Sequence, residues 1–381
     1  MSRAEFLVFG SPRIEEDDIQ AVNEVLRSGW LGTGPRVKQF EADFRGYTGA
    51  RYAMALNSCT AGLHLSMVVL GLKPGDEVIT SPLTFCATAN SIIHAGGRPV
   101  FVDINKDTLN IDPDKIEAAI TPRTRAILPV HFAGRPCEMD KIMAIAKKHR
   151  LKVVEDCAHA IEAEYHGQKA GTFGDMGCFS FYVTKNVATG EGGMVITDNE
   201  EYADKIKMYG LHGMSRDAWK RFSDEGFKHY QVIFPGFKYN MMDIQAALGV
   251  SQLKKVEKFY RRRLEIWHKY NTHLAKLPLN IPAPFAPQTK HALHLYTVTL
   301  DTRQITRDKL LDALIQEKIG AGVHYTALHL HPYYRETFGH RRGDFPAAEY
   351  TADRILSLPL SAKLTEQDVD DVVSALEKTL G

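Results

Sequence analysis

Short apolar runs alternate with amphipathic stretches between about residue 50 and residue 200. Seven of the runs have the length and the β-branched or aromatic content of strands, namely residues 52–56, 77–80, 99–103, 126–131, 152–156, 178–183 and 194–197. Helical patterns lie between them, as at residues 62–72 and 139–149. The alternation predicts βαβ units, and therefore a mostly parallel seven-stranded sheet between helices with ligands at the carboxyl ends of its strands.

The C-terminal third of the chain has a different pattern. A long helical pattern covers residues 242–277, and a segment with four prolines follows at residues 278–287. Beyond it we predict a strand, a helix, an extended segment and a last helix, at residues 294–300, 306–318, 356–360 and 368–379. The chain is therefore predicted to be an α/β protein with a large domain, residues 1–255, and a smaller C-terminal α+β domain, residues 256–381.

Composition and charge narrow the class of protein. Hydrophobic residues make up 44% and charged residues 24% of the 381 residues, which is typical of a soluble protein. The net charge of +1 gives no general attraction to nucleic acid or to an anionic membrane. A run of cations lies on the long helical pattern, at Lys254, Lys255, Lys258 and the arginines at 261–263. Its spacing indicates a solvated or subunit-facing surface rather than a nucleic-acid site.

Cysteine usage and hydropathy indicate the compartment. The five cysteines are scattered without a CxxC pair, as expected for reduced thiols in the cytosol. The N-terminal apolar stretch is too short for a signal peptide, and no window approaches the roughly 18 to 20 apolar residues of a membrane span. We therefore expect a soluble, cytoplasmic protein.

Lys185 is the first candidate for chemistry. It ends an apolar run that carries Ser180, and a glycine-rich turn at residues 190–193 follows. A lysine at such a strand end can be desolvated, lose its proton near neutral pH and attack a carbonyl group. Taken alone, the segment favours a surface lysine at the end of a strand, and only the rest of the chain reverses this preference.

Three further features lie at predicted strand ends. Residues 57–62, Asn-Ser-Cys-Thr-Ala-Gly, precede a helix whose N-terminus could bind a phosphate, although Ser58 or Thr60 could simply cap that helix. Asp156 ends a strand and could hold a proton on a heterocyclic nitrogen, or cap the next helix. Phe85 could stack on a flat ligand or belong to the core.

Together these features match one cofactor, pyridoxal 5'-phosphate (PLP). Its phosphate needs a helix N-terminus, its pyridine nitrogen needs an acid, and its aldehyde needs a lysine. Each feature is weak alone, and their occurrence in one chain makes the PLP interpretation the preferred one.

The sequence resembles the sugar-nucleotide aminotransferases, a branch of the fold-type I PLP-dependent transferases, over nearly the whole chain. The matching segments are at residues 28–35, 75–80, 155–160, 236–243 and 356–360. Residues 239–240, His159 and residues 324–329 are most similar to the branch that makes UDP-4-amino-4-deoxy-L-arabinose. Position 185 carries lysine, not the histidine of a related dehydratase branch, and this favours amino transfer over deoxygenation.

The resemblance implies roles for the catalytic residues. Lys185 forms the imine link to the cofactor aldehyde and moves the proton between substrate and cofactor. Asp156 pairs with the ring nitrogen, and His159 lies near the phenolic oxygen of the cofactor. Phe85 stacks on the ring face, where the branch just mentioned carries tryptophan, and many family members carry glutamine at position 159.

The resemblance also implies binding residues. Thr60, Ala61 and Ser180 bind the phosphate, and Asn240 reaches the same phosphate from the neighbouring subunit. Residues expected near the nucleotide sugar are Trp30, Lys238 and His329. A homodimer with active sites at its interface follows from the role of Asn240. We predict no metal site, because His324, His329 and His331 lack acids or cysteines at ligand spacing.

The implied reaction transfers an amino group from L-glutamate to a nucleotide-linked 4-keto sugar, UDP- or dTDP-linked, and releases 2-oxoglutarate. It would serve lipopolysaccharide, other surface-glycan or amino-sugar biosynthesis. Two alternatives stay open at this point: amination at C3 of the sugar, and a PLP-binding regulator without catalytic activity.

Overall fold

The computed structural model describes residues 3–215 and 230–381. The α-helices of this part of the chain are α1 (Glu16–Ser28), α2 (Pro35–Thr48), α3 (Cys59–Val69), α4 (Cys86–His94), α5 (Pro113–Ile116), α6 (Met139–His149), α7 (Glu200–Tyr209), α8 (Asp243–Leu253), α9 (Val256–Leu274), α10 (Arg307–Gln316), α11 (Pro332–Phe338), α12 (Pro346–Ala352) and α13 (Glu366–Leu380). The strands are β1 (Tyr52–Leu56), β2 (Glu77–Thr80), β3 (Arg98–Phe101), β4 (Thr124–Leu128), β5 (Lys152–Asp156), β6 (Glu164–Tyr165), β7 (Gln168–Lys169), β8 (Met176–Ser180), β9 (Gly193–Thr197), β10 (Leu279–Asn280), β11 (Thr289–Lys290), β12 (Tyr296–Leu300) and β13 (Ile355–Leu358).

The seven predicted strands form one sheet in the order β1-β9-β8-β5-β4-β2-β3. Strands β3, β2, β4, β5 and β8 are parallel to one another, and only β9 runs against the rest of the sheet. The predicted α/β architecture with a mostly parallel sheet is confirmed. Because the five parallel strands point the same way, their carboxyl ends share one edge of the sheet, where ligands bind in such folds.

Aromatic packing fixes one face of the sheet. Phe44 lies on α2, and its ring centroid is 5.0 Å from that of Phe179 on β8 and 5.6 Å from that of Phe181. All three side chains are completely buried. Phe181 explains why the apolar run at residues 178–183 extends past β8: the chain leaves the sheet, but its side chain stays in the core.

Helix α3 covers the opposite face of the sheet. Its N-cap Ser58 accepts a hydrogen bond from the Ala61 N–H, 3.1 Å away. A run of buried side chains, including Leu63 and Leu65, packs α3 against Met54 and Val195. The helix is almost entirely buried and also contacts α4 and α7, and its N-terminus lies at the ligand-binding edge.

A smaller antiparallel sheet, β10-β12-β13, lies in the C-terminal part. Trp267 and Tyr270 on α9 pack against Tyr296 on β12, with ring centroids 4.7 Å and 5.0 Å apart. Leu7 joins this hydrophobic cluster, and its N–H donates to the Lys318 carbonyl at 2.8 Å. The N-terminal segment thus packs with the C-terminal helices, while the predicted boundary at residue 255 stays a prediction.

The prediction of a single long helix at residues 242–277 is wrong, because α8 ends at Leu253 and α9 begins at Val256. The break coincides with Lys255, whose ammonium nitrogen lies 2.7 Å from carboxylate oxygens of Asp17 and Asp18. The side chain of Lys255 is thereby buried against the start of α1.

The basic run is only partly at the surface, so the prediction of a solvated or subunit-facing surface does not hold for all of its residues. Arg263 is 3% exposed and forms an ion pair with the completely buried Glu162. Lys258 and Arg262 pair with Glu15 and Glu366. Their charges are therefore balanced within the chain. None of the helices in the described ranges is both long and apolar enough to span a bilayer.

Candidate active site

Two neighbouring strands bring together the principal candidates. Asp156 is the last residue of β5 and pairs with Cys178 of β8 across the parallel ladder. The chain leaves β8 at Ser180 and turns, with the Lys185 N–H donating to the Tyr182 carbonyl at 2.8 Å. Lys185 therefore stands at the carboxyl edge of the sheet, beside Asp156.

The Lys185 amine is in a desolvating environment. Burial lowers its pKa from the usual value near 10.5 to about 8, and the electrostatic interactions with Cys59 and Asp156 oppose this shift only in part. The amine can therefore lose its proton close to neutral pH. A lysine with this property can act as a nucleophile and as a base, so the alternative of an ordinary surface lysine does not fit.

Asp156 is held in one orientation by the protein. Its Oδ2 accepts a hydrogen bond from the Thr88 hydroxyl at 2.8 Å, and its Oδ1 accepts one from the Ala158 N–H at 3.1 Å. The Thr84 hydroxyl lies 2.8 Å from the Thr88 hydroxyl and extends this chain. Burial raises the pKa of Asp156, while Thr88 and Ala158 oppose the rise. The carboxyl group is 4% exposed and caps no helix, because a turn follows β5.

The N-terminus of α3 lies beside the end of β8. Ser180 pairs with Gly193 at the start of β9, and a Cβ atom on Gly193 would lie 2.4 Å from the Cys59 nitrogen. This close approach requires glycine and places Ser180 next to the first turn of α3. The first N–H groups of that helix have no acceptor within the helix. Ser58 caps α3 and Thr60 is exposed, so the Ser58 cap does not exclude the predicted phosphate site.

Aromatic and imidazole rings border the site. His159 Nδ1 accepts a hydrogen bond from the Ala133 N–H at 3.2 Å, and its Nε2 lies 3.2 Å from the Tyr325 hydroxyl. Burial lowers the pKa of His159 well below its usual range, and the nearby positive charge of Lys185 lowers it further. The imidazole is therefore neutral, with its proton on Nε2. Phe85 is 55% exposed and lies 6.0 Å from Tyr325, so it is not a core residue.

The residues predicted near the sugar and the second subunit lie on one side of α3. Asn240 forms a β-bridge with Leu56, next to the α3 N-terminus. Its Nδ2 donates to the Thr33 hydroxyl at 2.6 Å, and Trp30 Nε1 donates to the Thr33 carbonyl at 3.3 Å. Lys238 is exposed, and its carbonyl accepts from an asparagine that directly precedes Ser58. Trp30, Lys238 and Asn240 therefore belong to one surface region.

His329 stands apart from the other candidates. Its side chain is completely buried, and its Nε2 lies 2.9 Å from Glu349 Oε1. The ring packs against Phe345, with centroids 4.7 Å apart. This placement favours a structural role over contact with the sugar.

A second buried group contains residue types that bind metals, namely His131, Glu155 and Cys157. The hydrogen-bonding atoms of His131 and Glu155 are already paired within the protein. His131 Nδ1 accepts the Cys137 N–H, and its Nε2 lies 3.0 Å from Glu155 Oε2. Glu155 also accepts three backbone N–H groups, those of residues 171, 173 and 174. Its oxygens stabilise the turn before β8 and leave no free ligand set, so we interpret the group as structural.

Sequence reasoning missed four side chains behind Lys185, namely His294, Asn186, Glu162 and Arg263. The first three form a hydrogen-bonded chain that begins at the Lys185 amine, and the Glu162–Arg263 ion pair ends it. Asn186 is the neighbour of Lys185, and His294 starts a predicted strand, but no sequence pattern connects them. Tyr325 and Thr88 were missed for the same reason.

These residues fit PLP. The cradle at Gly193 and the α3 N-terminus suits a phosphate, the fixed carboxyl of Asp156 suits a ring nitrogen, and the Lys185 amine suits an aldehyde. The fold and the donor set together define a fold-type I PLP-dependent enzyme. The family described as the DegT/DnrJ/EryC1/StrS aminotransferase family matches residues 12–377, and the chain belongs to this family. It is therefore a PLP-dependent sugar aminotransferase.

Individual relatives agree with this assignment. The spore coat polysaccharide biosynthesis protein SpsC of Bacillus subtilis (strain 168) is 50% identical over 378 residues, 98% of this chain and 97% of SpsC. PseC of Helicobacter pylori, an aminotransferase involved in the biosynthesis of pseudoaminic acid, has a TM-score of 0.91 at 31% identity over 99% of both chains. The PLP form of Spr1654 from Streptococcus pneumoniae has a TM-score of 0.91 at 32% identity over 99% of this chain and 100% of the other.

Proposed function

We propose that this sugar aminotransferase moves an amino group from L-glutamate to C4 of a UDP- or dTDP-linked 4-keto sugar. The observation that carries the proposal is the buried Lys185 amine, with a pKa near 8, beside the fixed carboxyl of Asp156. SpsC is a spore coat polysaccharide biosynthesis protein, and PseC is involved in the biosynthesis of pseudoaminic acid. Both support a product used in a surface glycan or an amino sugar. We further propose lipopolysaccharide as one such glycan and the cytoplasm as the place of synthesis.

Each side chain has a defined task in this proposal. PLP, when bound, supplies an electron sink and carries the amino group between the two half-reactions. Lys185 Nζ accepts the proton from the donor carbon and later returns one to the sugar carbon. Asp156 holds a proton at the ring nitrogen of the cofactor. The Thr88 hydroxyl donates to Asp156 Oδ2 and keeps the carboxylate in this orientation. Phe85 covers the ring face and excludes water from it.

The phosphate and the nucleotide sugar are assigned to the edge around α3. The Thr60 N–H and the Ser180 hydroxyl bind the phosphate, because the positive end of the α3 dipole favours an anion. Ala61 belongs to the same turn, but its N–H already donates to Ser58 Oγ at 3.1 Å, so it lines the phosphate site rather than donating to it. Lys238 and Trp30 lie on the adjacent surface, where an ammonium group and an indole suit a diphosphate and a base. His329 is left out of this assignment on account of its burial.

We also propose a homodimer with the active sites at its interface. Trp30, Leu31 and Met242 are each more than 40% exposed, although large apolar side chains are commonly buried. Asn240 Oδ1 is buried and has no hydrogen-bond partner among the described residues, so a donor from a second subunit would satisfy it. Sedimentation velocity checks this: a monomer that retains full PLP affinity and activity would refute it.

The experiment that tests the reaction is a two-step assay on the PLP-loaded enzyme. L-glutamate should remove the visible absorption band of the bound cofactor, with release of 2-oxoglutarate. The enzyme that has reacted with L-glutamate is then isolated and mixed, in separate reactions, with matched 4-keto and 3-keto nucleotide sugars. Return of the band with the 4-keto compounds alone supports C4 amination, whereas return with the 3-keto compounds supports the C3 alternative. A band that no amino donor changes would establish the regulator instead.

A further inference from the structure

A hydrogen-bonded chain leads from the Lys185 amine into the protein core. Lys185 Nζ lies 3.4 Å from His294 Nε2, and His294 Nδ1 lies 3.1 Å from Asn186 Oδ1. Asn186 Nδ2 donates to Glu162 Oε2 at 2.8 Å, and Glu162 is paired with Arg263. The family assignment explains Lys185, but gives no reason for the four further polar side chains behind it.

The orientation of the Asn186 amide is fixed by its partners. Its Nδ2 group faces two atoms that can only accept, Glu162 Oε2 at 2.8 Å and the Ala292 carbonyl at 2.9 Å. Reversal of the amide would bring its oxygen against both acceptors and leave them unpaired. The Asn186 oxygen must therefore face His294.

This orientation determines the tautomer of His294. Since Asn186 Oδ1 is an acceptor, His294 Nδ1 has to carry the proton. Burial lowers the pKa of His294 well below its usual range, and the charge of Lys185 lowers it further, so the ring is neutral. A neutral imidazole protonated at Nδ1 has a lone pair at Nε2, which faces the Lys185 amine. His294 can only accept from Lys185.

We propose that His294 is a positioning residue for Lys185. His294 Nε2 accepts one N–H of the Lys185 amine and thereby turns the lone pair of the amine nitrogen toward the ligand side of the site. The proposal rests on the proposed role of Lys185. A protonated or reversed imidazole would instead donate to the amine and occupy that lone pair. The Asn186–Glu162–Arg263 chain prevents this, because it holds the imidazole in the accepting tautomer.

The rings around His294 suit this role. His159, which is also neutral, lies with its ring centroid 4.5 Å from that of His294. His324 Nδ1 is 2.8 Å from the Ser357 hydroxyl, and burial lowers its pKa to about 4. His159, His294 and His324 are therefore all neutral near neutral pH, and none of them is an imidazolium that could donate to the Lys185 nitrogen. The amine is thus bordered on this side by neutral rings.

Two substitutions separate positioning from packing. In His294→Asn the amide nitrogen can take the place of Nδ1 and keep the bond to Asn186, but nothing replaces Nε2. In His294→Gln the longer amide can place its oxygen at Nε2 and accept from Lys185. His291→Asn is the matched control, because His291 is also buried and bonds only the Leu293 N–H by its Nδ1 among the described residues.

The first readout is the single-turnover reaction of the PLP-loaded enzyme with L-glutamate. We expect His294→Asn to slow it by about 10- to 100-fold with a nearly unchanged half-saturating concentration of glutamate, because a misaligned amine costs rate rather than binding. Deuteration at C2 of glutamate should slow this variant more than the wild type, since proton transfer becomes limiting. His294→Gln should recover most of the rate, and His291→Asn should keep it. Equal losses in His294→Asn and His294→Gln, or no loss in either, would overturn the proposal.

The second readout needs neither cofactor nor turnover. Nitrogen NMR of the cofactor-free protein with ¹⁵N-labelled histidine, assigned with the His294 variants, reports which ring nitrogen carries the proton. We expect the proton on Nδ1, and a proton on Nε2 would refute the inference. A wild-type enzyme that ignores glutamate but shows the Nδ1 tautomer would count against the proposed amino donor and would leave the His294 geometry supported.

Discussion

The Lys185 amine should destabilise the cofactor-free protein, and its replacement by methionine tests this. Lys185→Met keeps the length of the side chain and removes the charge. The folded pKa is about 8 and the usual value is 10.5. Between these pH values the unfolded chain binds more protons at this residue than the folded chain does. The destabilisation is therefore complete below pH 8 and is lost as the pH rises toward 10.5.

The magnitude follows from the two pKa values. The destabilisation is about 3 kcal/mol at pH 7 and about 2 kcal/mol at pH 9. The unfolding entropy of a 381-residue chain is about 0.8 kcal/mol/K, so Lys185→Met should raise the melting temperature by about 4 °C at pH 7 and by about 2 °C at pH 9. Scanning calorimetry of the cofactor-free proteins measures both shifts.

Lys276→Met is the matched control, because Lys276 is exposed. It should change the melting temperature by less than about 1 °C at either pH, as is usual for surface substitutions. A Lys185→Met protein that melts at or below the wild-type temperature at pH 7 would refute the reasoning. So would a gain of stability that does not shrink between pH 7 and pH 9.

Three further predictions concern the carboxyl group, the phosphate cradle and the buried ion pair. Asp156→Asn should slow single-turnover amino transfer at least about 100-fold, because the ring nitrogen loses its charged partner; a rate within tenfold of wild type would contradict the role. Gly193→Ala should weaken PLP binding by about 1–3 kcal/mol, because the added Cβ meets the backbone at the start of α3. Gly46→Ala is the control and should not weaken binding, because its added Cβ meets nothing within 4 Å; fluorescence titration with PLP compares the two variants. Arg263→Met should lose about 3–5 kcal/mol of stability and Arg262→Met less than about 1 kcal/mol; similar urea midpoints would argue against the buried pair.

Most of the large sheet could be predicted from the sequence because its signals are local. Residues 152–156 carry the β-branched pair Val153 and Val154 between charged residues, and they form β5 with the predicted bounds. Helix α6 likewise matches its predicted range. The pattern failed at Lys255, where a tertiary ion pair with Asp17 and Asp18 breaks a helix that periodicity alone continues. Hydrophobic periodicity carries no information about such a pair.

The candidate site was predictable only where a residue lies at the end of a strand. Asp156 ends β5 and Lys185 follows the end of β8 by five residues, and their chemistry is specific enough to be recognised in sequence. Phe85 could be assigned to the core or to a ligand from the sequence, and its exposure excludes the core. His294 could not be found, since it lies 109 residues from Lys185 along the chain and the contact depends on the packing of a separate segment.

The polar chain behind Lys185 connects the two parts of the fold. Asn186 and Glu162 belong to the region of the large sheet, whereas Arg263 lies on α9 and His294 directly precedes β12. A buried charge pair contributes little net stability, but removal of one partner is costly because it leaves the other charge unpaired. Any separation of Arg263 from a Glu162 that stays buried is therefore costly. The same separation would release Asn186 and, with it, the tautomer of His294, so the docking of the C-terminal helices and the orientation of the Lys185 amine depend on one set of contacts.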